Sequence, residues 1–533
     1  MRNPRFSVAS IFLLSFVFLT FASFTSASNE TFLECLNSNS DQNHPISSQI
    51  YSQTNASYSS VLYDYIRNLR FNLPTTPKPQ FIVTALHVSH IQSAVVCGKR
   101  HGLQMRIRSG GHDYEGVSYV SNDPFFILDM FNFRAIHINV EEETAWVEVG
   151  VTTGELYYRI AEKSNVHGFP AGVCTTLGVG GHFSGGGYGT MIRKYGLSVD
   201  NIIDAQLVDV KGRLLNRASM GEDLFWAING GGGASFGIIV AYKIRLVRVP
   251  PKVTVFQVAR TYEQNATDIA HRWQEISPKL HEDLFIRMTI EVINGSRSGE
   301  KTVRSTFNAL FLGNSTSLVS LMTKSFPELG VVQRDCIEMR WVESTLFWFG
   351  FPTGTSLEVL LNRIPQSRDY SKNKSDFLKK PMSKAEIDKL FKKMIELEYP
   401  FIQFNPYGGR MSQIQSFEKP FPHRGYLIKL QYITFWTQTG IEATNRYINL
   451  SRTLYDFMTP FVTKKPRQAF LNYRDFDIGI NHQGQNSYFE GAVYGLKYYM
   501  GNFNRLVQIK TKVDPENFFR NEQSIPVFPS RGK

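Results

Sequence analysis

Short apolar runs alternate with helical patterns over residues 75–249. Runs rich in β-branched and aromatic residues predict strands at 81–83, 104–108, 125–129, 145–149, 202–210 and 237–246. Amphipathic patterns predict helices at 89–98, 153–165 and 223–227, and we read 223–226 as a helix packed beneath the sheets. Ser89 and Gln92 have the spacing of a capping box at the first helix. The mixture predicts an α+β domain.

The pattern changes over residues 250–470, where longer strand-like runs precede amphipathic helices. Strands are predicted at 253–259, 285–293, 304–312 and 426–435, and helices at 316–326 and 384–397. In the last part, 471–533, Asp514 and Pro515 indicate a helix start before a buried aromatic pair, Phe518 and Phe519. A chain of 533 residues exceeds one hydrophobic core, so we expect an arm at 29–74 and domains at 75–249 and 250–470.

The N-terminus is typical of an export signal, because Arg2 and Arg5 precede an apolar stretch over 8–24 and small residues follow. The alternative, a membrane anchor, is weaker because the stretch is short for a membrane span. A cleaved signal at 1–28 predicts a secreted protein of the apoplast or cell wall, or one of a vacuolar or endoplasmic-reticulum-derived compartment, without later membrane contact. Seven glycosylation sequons agree with export: Asn29, Asn55, Asn265, Asn294, Asn314, Asn373 and Asn449.

The net charge of +12 does not indicate a nucleic-acid partner. Basic residues are scattered, with short clusters at 372–374, 379–380 and 464–465, and no nucleic-acid signature accompanies them. We read them as a solvated basic surface. His101, His137 and His271 are isolated and form no ligand spacing, so we expect no metal. Aromatic residues make up 13% of the chain, which suits a large apolar pocket.

Two glycine-rich segments carry the most specific chemistry: RIRSGGHDYEG at 106–116 and GVCTTLGVGGHFSGGGYG at 172–189. Glycine lets the backbone approach a ligand closely and aim successive N–H groups at a phosphate. Each segment holds one group able to bond covalently to a flavin ring, His112 in the first and Cys174 in the second. Neither matches the GxGxxG turn or the GxxxxGK[ST] loop, which excludes the usual nucleotide-binding motifs.

Together with MGEDLFWAINGGGG (220–233), FPHRG (421–425), LNYRD (471–475) and VDPENFFRNEQSIP (513–526), these segments resemble the plant berberine bridge enzyme-like family, and are also similar to cannabinoid-acid synthases. The resemblance implies an α+β fold: a two-part FAD-binding domain of the vanillyl-alcohol oxidase type, to which the C-terminal segment returns, and a substrate domain with an antiparallel sheet backed by helices. It implies FAD attached through both His112 and Cys174. It also supports a disulfide between Cys35 and Cys97, which leaves Cys336 as a buried thiol.

The expected cofactor-binding set extends beyond these two attachment residues. Ser109, Gly110 and Gly111 would offer N–H groups to the pyrophosphate, with the 178–182 turn opposite and residues 239–240 at the adenine end. The full set is Arg108, Ser109, Gly110, Gly111, Asp113, Gly178, Gly180, Gly181, His182, Ser184, Ile239, Val240 and Asn472.

The expected catalytic residues come from other parts of the chain. Lys429 and Gln431 alternate within the strand predicted at 426–435, so their side chains point to the same face. The resemblance implies that Tyr473 is the catalytic base and that Lys429, Tyr114 and Tyr188 lower its pKa. A phenol has a pKa near 10, and a close ammonium group is an adequate cause of such a shift. Gln431 stands where the alkaloid-cyclising member has a glutamate base, which disfavours C–C bridge formation.

We therefore expect a monomeric FAD-dependent oxidoreductase acting on a small-molecule alcohol or on a phenolic or prenylated plant metabolite. Leu177, three residues after Cys174, stands where oxygen-using relatives tend to have valine. The electron acceptor is thus either molecular oxygen or another molecule. Two alternatives stay open: a non-redox cyclase that retains FAD, and a carbohydrate oxidase of the cell wall.

Overall fold

A computed structural model of the chain describes residues 32–365, 367–484 and 487–529. The predicted signal peptide and the sequon at Asn29 lie outside the described residues. Helices are mixed with sheets that are mainly antiparallel, which confirms the expected α+β class.

Three sheets build the first region. Its strands are β1 (Ile50–Ser52), β2 (Phe81–Thr84), β3 (Gln104–Arg108), β4 (Phe125–Asp129), β5 (Ile136–Asn139), β6 (Thr144–Glu148), β7 (His167–Gly168), β8 (Ile202–Val208), β9 (Leu214–Leu215), β10 (Ile238–Arg245) and β11 (Val247–Arg248). Four strands run in the order β1–β2–β4–β3, with β2 and β3 parallel to β4. Five antiparallel strands follow the order β5–β6–β10–β8–β9, and β11 pairs with β7.

One seven-stranded antiparallel sheet builds the second region. Its strands are β12 (Val253–Thr261), β13 (Leu284–Asn294), β14 (Lys301–Phe311), β15 (Ile337–Met339), β16 (Tyr370–Leu378), β17 (Phe401–Pro406) and β18 (Ile428–Trp436). Their order is β15–β12–β14–β13–β17–β18–β16, so β16 is an edge strand. In its register with β18, Asn373 is opposite Ile433 and Ser375 is opposite Gln431.

Helices cover these sheets. They are α1 (32–39), α2 (Tyr58–Tyr63), α3 (Val88–Arg100), α4 (Thr153–Lys163), α5 (Val179–Ser184), α6 (Ile192–Tyr195), α7 (Arg217–Ile228), α8 (Ala266–Ile276), α9 (Ser315–Ser325), α10 (Trp341–Phe349), α11 (Lys384–Leu397), α12 (Arg410–Gln413), α13 (Ile441–Phe457), α14 (Ser487–Tyr499) and α15 (Phe503–Val513). Capping boxes begin α4 at Thr152 and α11 at Ser383, where side chains satisfy N–H groups that the helix leaves free.

Two large hydrophobic clusters correspond to the two regions. The first includes side chains of the C-terminal segment, such as Tyr498, Phe503 and Phe518, packed with the strands of the first region. The second packs the seven-stranded sheet against helices and includes the fully buried Trp273. The C-terminal segment thus packs on the first region, while the domain boundaries themselves stay a prediction.

Two predictions about helix ends are wrong. Helix α3 begins at Val88 with His87 as its N-cap, so Ser89 lies inside the helix, and the Gln92 amide donates instead to the Gly212 carbonyl. Asp514 ends α15 rather than starting a helix. Its carboxylate accepts the backbone N–H groups of the next two aromatic residues in a turn, and that aromatic pair is buried as expected.

Two predictions about exposure are also wrong. Lys372 and Lys374 were expected on a solvated surface, but their side chains are at most 2% exposed because carboxylates surround their ammonium groups. Cys336 is partly exposed rather than buried.

The features linked to export lie mainly at the surface. A disulfide joins Cys35 of α1 to Cys97 of α3, which confirms the expected pair. Five sequon asparagines are exposed: Asn55, Asn265, Asn294, Asn314 and Asn449. Asn373 is only 1% exposed on β16, so its burial argues against the glycan predicted there. Among the residues the structure describes, no helix has the length and apolar character needed to cross a membrane.

Candidate active site

The two glycine-rich segments meet at their backbones. Segment 106–116 continues from β3, and segment 172–189 contains α5. A Cβ added to Gly110 or to Gly178 would lie 2.3 Å from the backbone nitrogen of the other residue. Only glycine permits this close approach at both positions.

Thr176 lies between the two predicted attachment residues. Its Oγ1 is 2.8 Å from His112 Nε2 and 3.8 Å from Cys174 Sγ. Burial lowers the pKa of His112 to about 3 and raises the pKa of Cys174. Both side chains are therefore uncharged at neutral pH, and one ring nitrogen of His112 and the sulfur of Cys174 lie near the same hydroxyl.

A cleft runs along these segments, with about 1210 Å³ of empty space that includes the open solvent at its mouth. The predicted residues that line it are Ser109, Gly110, Gly111, His112, Asp113, Tyr114, Leu177, Gly178, Gly180, Gly181, His182, Ser184, Ile239 and Asn472. Three arginines that we did not predict, Arg106, Arg474 and Arg520, line it as well. The cleft thus has three guanidinium groups in its lining besides the glycine-rich backbone.

The residues present fit FAD. Gly181 faces open space, because a Cβ added there would meet no atom within 4 Å. Arg106 is buried, and its Nη2 donates to Glu522 at 2.6 Å, but its Nε and Nη1 have no hydrogen-bond partner among the described residues. Buried donors normally have acceptors, and a guanidinium suits the phosphates of a dinucleotide.

Two predicted cofactor contacts do not face the cleft. Each guanidinium nitrogen of the fully buried Arg108 donates to a protein acceptor: the Asp129 carboxylate or the carbonyls of Val61 and Leu62. Arg108 therefore connects β3 to β4 and to the N-terminal arm. Val240 packs into the hydrophobic core next to Ile239, which does line the cleft.

Lys429 and Tyr473 form the centre of the catalytic cluster. Lys429 Nζ, fully buried on β18, donates to the Tyr473 hydroxyl at 3.1 Å. The same ammonium nitrogen lies 3.4, 4.3 and 4.4 Å from the ring centres of Tyr188, Tyr473 and Phe470. Three aromatic faces therefore surround one amine, an arrangement that stabilises a positive charge on it.

The pKa values in this cluster differ from the prediction. Burial raises the pKa of Tyr473 well above its ordinary value. Burial, together with the nearby Arg287 guanidinium, lowers the pKa of Lys429 well below its ordinary value. Lys429 was expected to be an ammonium group that makes a phenolate of Tyr473. The structure favours instead a neutral amine beside a neutral phenol.

Two further tyrosines have separate partners. The Tyr114 hydroxyl accepts from Gln431 Nε2 at 3.3 Å, and its ring lies edge-on to Tyr473 at 6.2 Å between centres. Tyr188 donates to Asn405 Oδ1 and is 3.3 Å from an Arg287 nitrogen, so its hydroxyl does not reach Tyr473. Tyr188 acts on Lys429 through its ring, which differs from the predicted role.

Several polar residues of the site were missed from the sequence. Arg287 and Asn405 lie on β13 and β17, and Arg287 Nε donates to Asn405 Oδ1 at 2.7 Å. A buried arginine within the apolar run 284–290 was a usable signal. Arg67, from the N-terminal arm, has a buried Nη1 without a partner among the described residues. Nothing in the sequence around Arg67 indicated that this residue belongs to the site.

One group of possible metal ligands, Asp41, His44 and His87, lies on the N-terminal arm and just before α3 rather than in the cleft. The two imidazole rings stack 3.9 Å apart at 9°, which accounts for their proximity without an ion. The expectation of no metal stays a prediction.

Two family profiles match the chain. The profile described as FAD binding domain matches residues 79–217, and the profile described as berberine and berberine like matches residues 469–526. Berberine bridge enzyme-like 8 of Arabidopsis thaliana is 58% identical over 527 residues, which cover 98% of this chain and 99% of that protein.

Solved structures agree with these profiles. The grass pollen allergen Phl p 4, described as a glucose dehydrogenase, is 42% identical, with a TM-score of 0.88 over 94% of this chain and 100% of that chain. A variant of Phl p 4 in which one isoleucine is replaced by valine is described as a glucose oxidase. Berberine bridge enzyme from Eschscholzia californica is 37% identical, with a TM-score of 0.87 over 94% and 100% of the two chains.

Proposed function

This chain belongs to the berberine bridge enzyme-like family of FAD-dependent oxidoreductases, and from that premise we propose that it oxidises an alcohol group of a small plant molecule. The observation that carries the proposal is the 3.1 Å contact between Lys429 Nζ and the Tyr473 hydroxyl inside an aromatic enclosure. A proton acceptor held in this way is what removal of a hydroxyl proton requires.

FAD, when bound, supplies the acceptor for the two electrons that leave the alcohol carbon. The protein supplies the path for the proton. Tyr473 takes the substrate hydroxyl proton at its oxygen while its own proton passes to Lys429 Nζ. The resulting ammonium group is stabilised by the rings of Tyr188 and Phe470, which explains why a neutral Lys429 is useful at the start.

We propose that His112 and Cys174 both attach the flavin covalently. Their convergence on Thr176 Oγ1 beside the cleft supports this assignment. The pyrophosphate would lie against the Ser109–Gly111 backbone, where Gly110 and Gly178 leave no room for side chains. Arg106 and Arg474 would offer their free nitrogens to its charged part.

For the substrate, we propose a primary or secondary alcohol of a phenolic or monolignol type. A carbohydrate is a second candidate, because the similar protein Phl p 4 is described as a glucose dehydrogenase. Gln431 cannot replace a carboxylate base, which argues against C–C bridge formation.

For the electron acceptor, we propose a molecule other than oxygen. Leu177 lines the cleft next to Gly172, where a Cβ would lie 2.9 Å from Leu177 Cδ1. Replacement of isoleucine by valine accompanies the change from dehydrogenase to oxidase in Phl p 4, and leucine is likewise bulkier than valine. We also propose export, which the disulfide and the exposed sequons support, and a monomeric state.

The test uses the purified full-length protein from a secreting host. Acid precipitation should leave the yellow colour with the protein, and colour released into the supernatant would contradict covalent attachment. Anaerobic addition of coniferyl alcohol, glucose or cellobiose should bleach the flavin band for one substrate class and so rank the classes. Product formed without bleaching would instead identify a non-redox cyclase.

A further inference from the structure

Three consecutive side chains of the edge strand β16 are buried beside the site without a part in the chemistry described above. Lys372, Asn373 and Lys374 are at most 2% exposed. We propose that this tripeptide is a positioning unit that fixes Tyr114 and Tyr473 relative to each other for proton transfer. The inference rests on the proposed role of Tyr473.

Ion pairs of the two lysines connect the backbone segments that carry the tyrosines to one strand, β16. Lys372 Nζ lies 2.5 Å from Glu115, the residue after Tyr114, and 2.6 Å from Asp475, two residues after Tyr473. Lys374 Nζ lies 2.8 Å from the other oxygen of Asp475. One carboxylate therefore bridges both lysines, and each ion pair ends next to a tyrosine.

Further charges complete this network. Asp477 lies 2.6 Å from Lys374 Nζ and pairs with Arg452 at the surface, and Arg70 lies 3.5 Å from Glu115. The buried charges are thus matched by opposite charges from the N-terminal arm, the first region and the C-terminal segment. The network connects all three to the seven-stranded sheet.

Asn373 acts on the opposite side of the strand. Its Oδ1 accepts from Gln431 Nε2 at 3.0 Å, and that nitrogen also donates to the Tyr114 hydroxyl at 3.3 Å. Alternation along β16 therefore sends the lysines toward the tyrosine backbones and the asparagine toward a tyrosine hydroxyl. Asn68 adds a third tie, because its amide donates to the carbonyls of Tyr114 and Ser371 at 3.1 Å.

A purely stabilising role would not need this chemistry. Buried ion pairs contribute little net stability compared with well-packed apolar side chains, because desolvation offsets the attraction between the charges. They do impose geometry, since removal of one partner leaves an unpaired buried charge. Placement of both tyrosines within a fraction of an ångström is where that geometry matters, because small misplacements lower rates by large factors.

The test compares Asn373→Ala and Lys372→Met with Lys372→Arg in the flavin-loaded protein. Lys510→Met is the matched control, because Lys510 is a fully buried lysine paired with Asp514 at 2.6 Å and bonded to Ser235 and Phe519 rather than to the tyrosines. Anaerobic stopped-flow gives the rate of flavin reduction and the apparent substrate Kd across pH. The ¹³Cζ NMR resonance of Tyr473 in the flavin-loaded protein, identified by its loss in Tyr473→Phe, reports the environment of that hydroxyl at neutral pH without any substrate.

We expect Asn373→Ala and Lys372→Met to lower the rate of flavin reduction by about 10²-fold with an unchanged Kd. They should also move the pH midpoint of that rate and the Tyr473 ¹³Cζ resonance, and Lys372→Arg should restore both. Lys510→Met should lower the thermal midpoint alone. Midpoints that stay at the wild-type position, or that move equally in Lys510→Met, would overturn the inference. If no alcohol bleaches wild-type flavin, the proposed function fails, and the Tyr473 resonance, unmoved or moved equally in Lys510→Met, still decides the positioning claim.

Discussion

The two sides of the active site are built in opposite ways. The flavin side lies in two continuous segments, where the predicted attachment residues His112 and Cys174 are each embedded in glycine turns. The base side brings together Tyr114, Lys429 and Tyr473 from three distant parts of the chain. A ligand that needs backbone contact can be served by a local turn. A proton path needs side chains at fixed distances, which only the packing of strands supplies.

The two sides also differ in how they treat charge. On the flavin side, burial keeps His112 neutral, and charge enters through arginines at the cleft such as Arg106. On the base side, Lys429 is buried among aromatic rings, and behind it a network of paired lysines and carboxylates is almost fully enclosed. The flavin side therefore serves to hold the flavin, and the base side serves to position the groups that transfer protons.

The largest effect should come from removal of both attachment residues. Either His112→Ala or Cys174→Ala alone should leave flavin attached through the other residue, because each sits on its own side of Thr176. The double variant should release all flavin on acid precipitation, measured by absorbance of pellet and supernatant. Cys336→Ala, at the other free cysteine in the described part of the chain, is the control. Colour retained by the double variant would place an attachment elsewhere.

On the base side, Tyr473→Phe should lower the rate of flavin reduction by roughly 10²–10⁴-fold, the usual contribution of a general base. The substitution keeps the ring beside Lys429 and removes only the oxygen that accepts the proton. Anaerobic stopped-flow measures the rate. Tyr499→Phe removes a buried hydroxyl bonded to the Gly231 carbonyl and should leave the rate unchanged. Equal rates in the two variants would exclude Tyr473 as base.

This contrast explains what could be predicted. The glycine turns could be recognised from the sequence because the residues that would contact the flavin are consecutive in the chain. Most of the predicted residues there line the cleft. Strand alternation also predicted that Lys429 and Gln431 share one face of their strand. In the structure they contact two neighbouring tyrosines, Tyr473 and Tyr114. Arg108 was misplaced because protein acceptors from β4 and the N-terminal arm take its donors, although Arg106 of the same strand lines the cleft. The sequence does not show which of the two arginines has such partners.

The base-side support could not be predicted, for a physical reason. Lys372 and Lys374 resemble surface residues by composition, and Asn373 reads as a glycosylation sequon. Their burial depends on carboxylates more than a hundred positions away in the chain, at Asp475, and on a second segment at Glu115. Only the edge position of β16 brings these together. The directions of the Lys429 and Tyr473 pKa values likewise follow from burial, which the sequence does not give.

A smaller effect should show that, on the flavin side, attachment of the flavin and reaction of the reduced flavin with oxygen depend on different residues. Leu177→Val should open about one methylene of space beside the cleft and leave flavin attachment unchanged. Reoxidation of the reduced protein by dissolved oxygen should become about tenfold faster, which corresponds to roughly 1.4 kcal/mol in the barrier. Stopped-flow mixing with oxygenated buffer measures it. Leu318→Val, in the second core, is the control, and identical reoxidation rates would show that Leu177 does not limit oxygen.

The smallest effect concerns acid stability and asks whether both sides depend on neutral buried histidines. Burial lowers the pKa of His182 on the flavin side and of His423 on the base side to about 3. A free histidine has a pKa near 6.5, so below that pH the unfolded chain binds a proton that the folded chain does not. The contribution of each histidine to the free energy of unfolding is therefore fully present above about pH 6.5 and falls by up to about 1.4 kcal/mol per pH unit toward pH 3.

The test uses His423→Gln, which keeps a donor for the Tyr498 carbonyl, and His182→Gln. Each substitution should make the thermal unfolding midpoint less dependent on pH between pH 7 and pH 4. A flattening seen in only one variant would assign acid sensitivity to that side of the site alone.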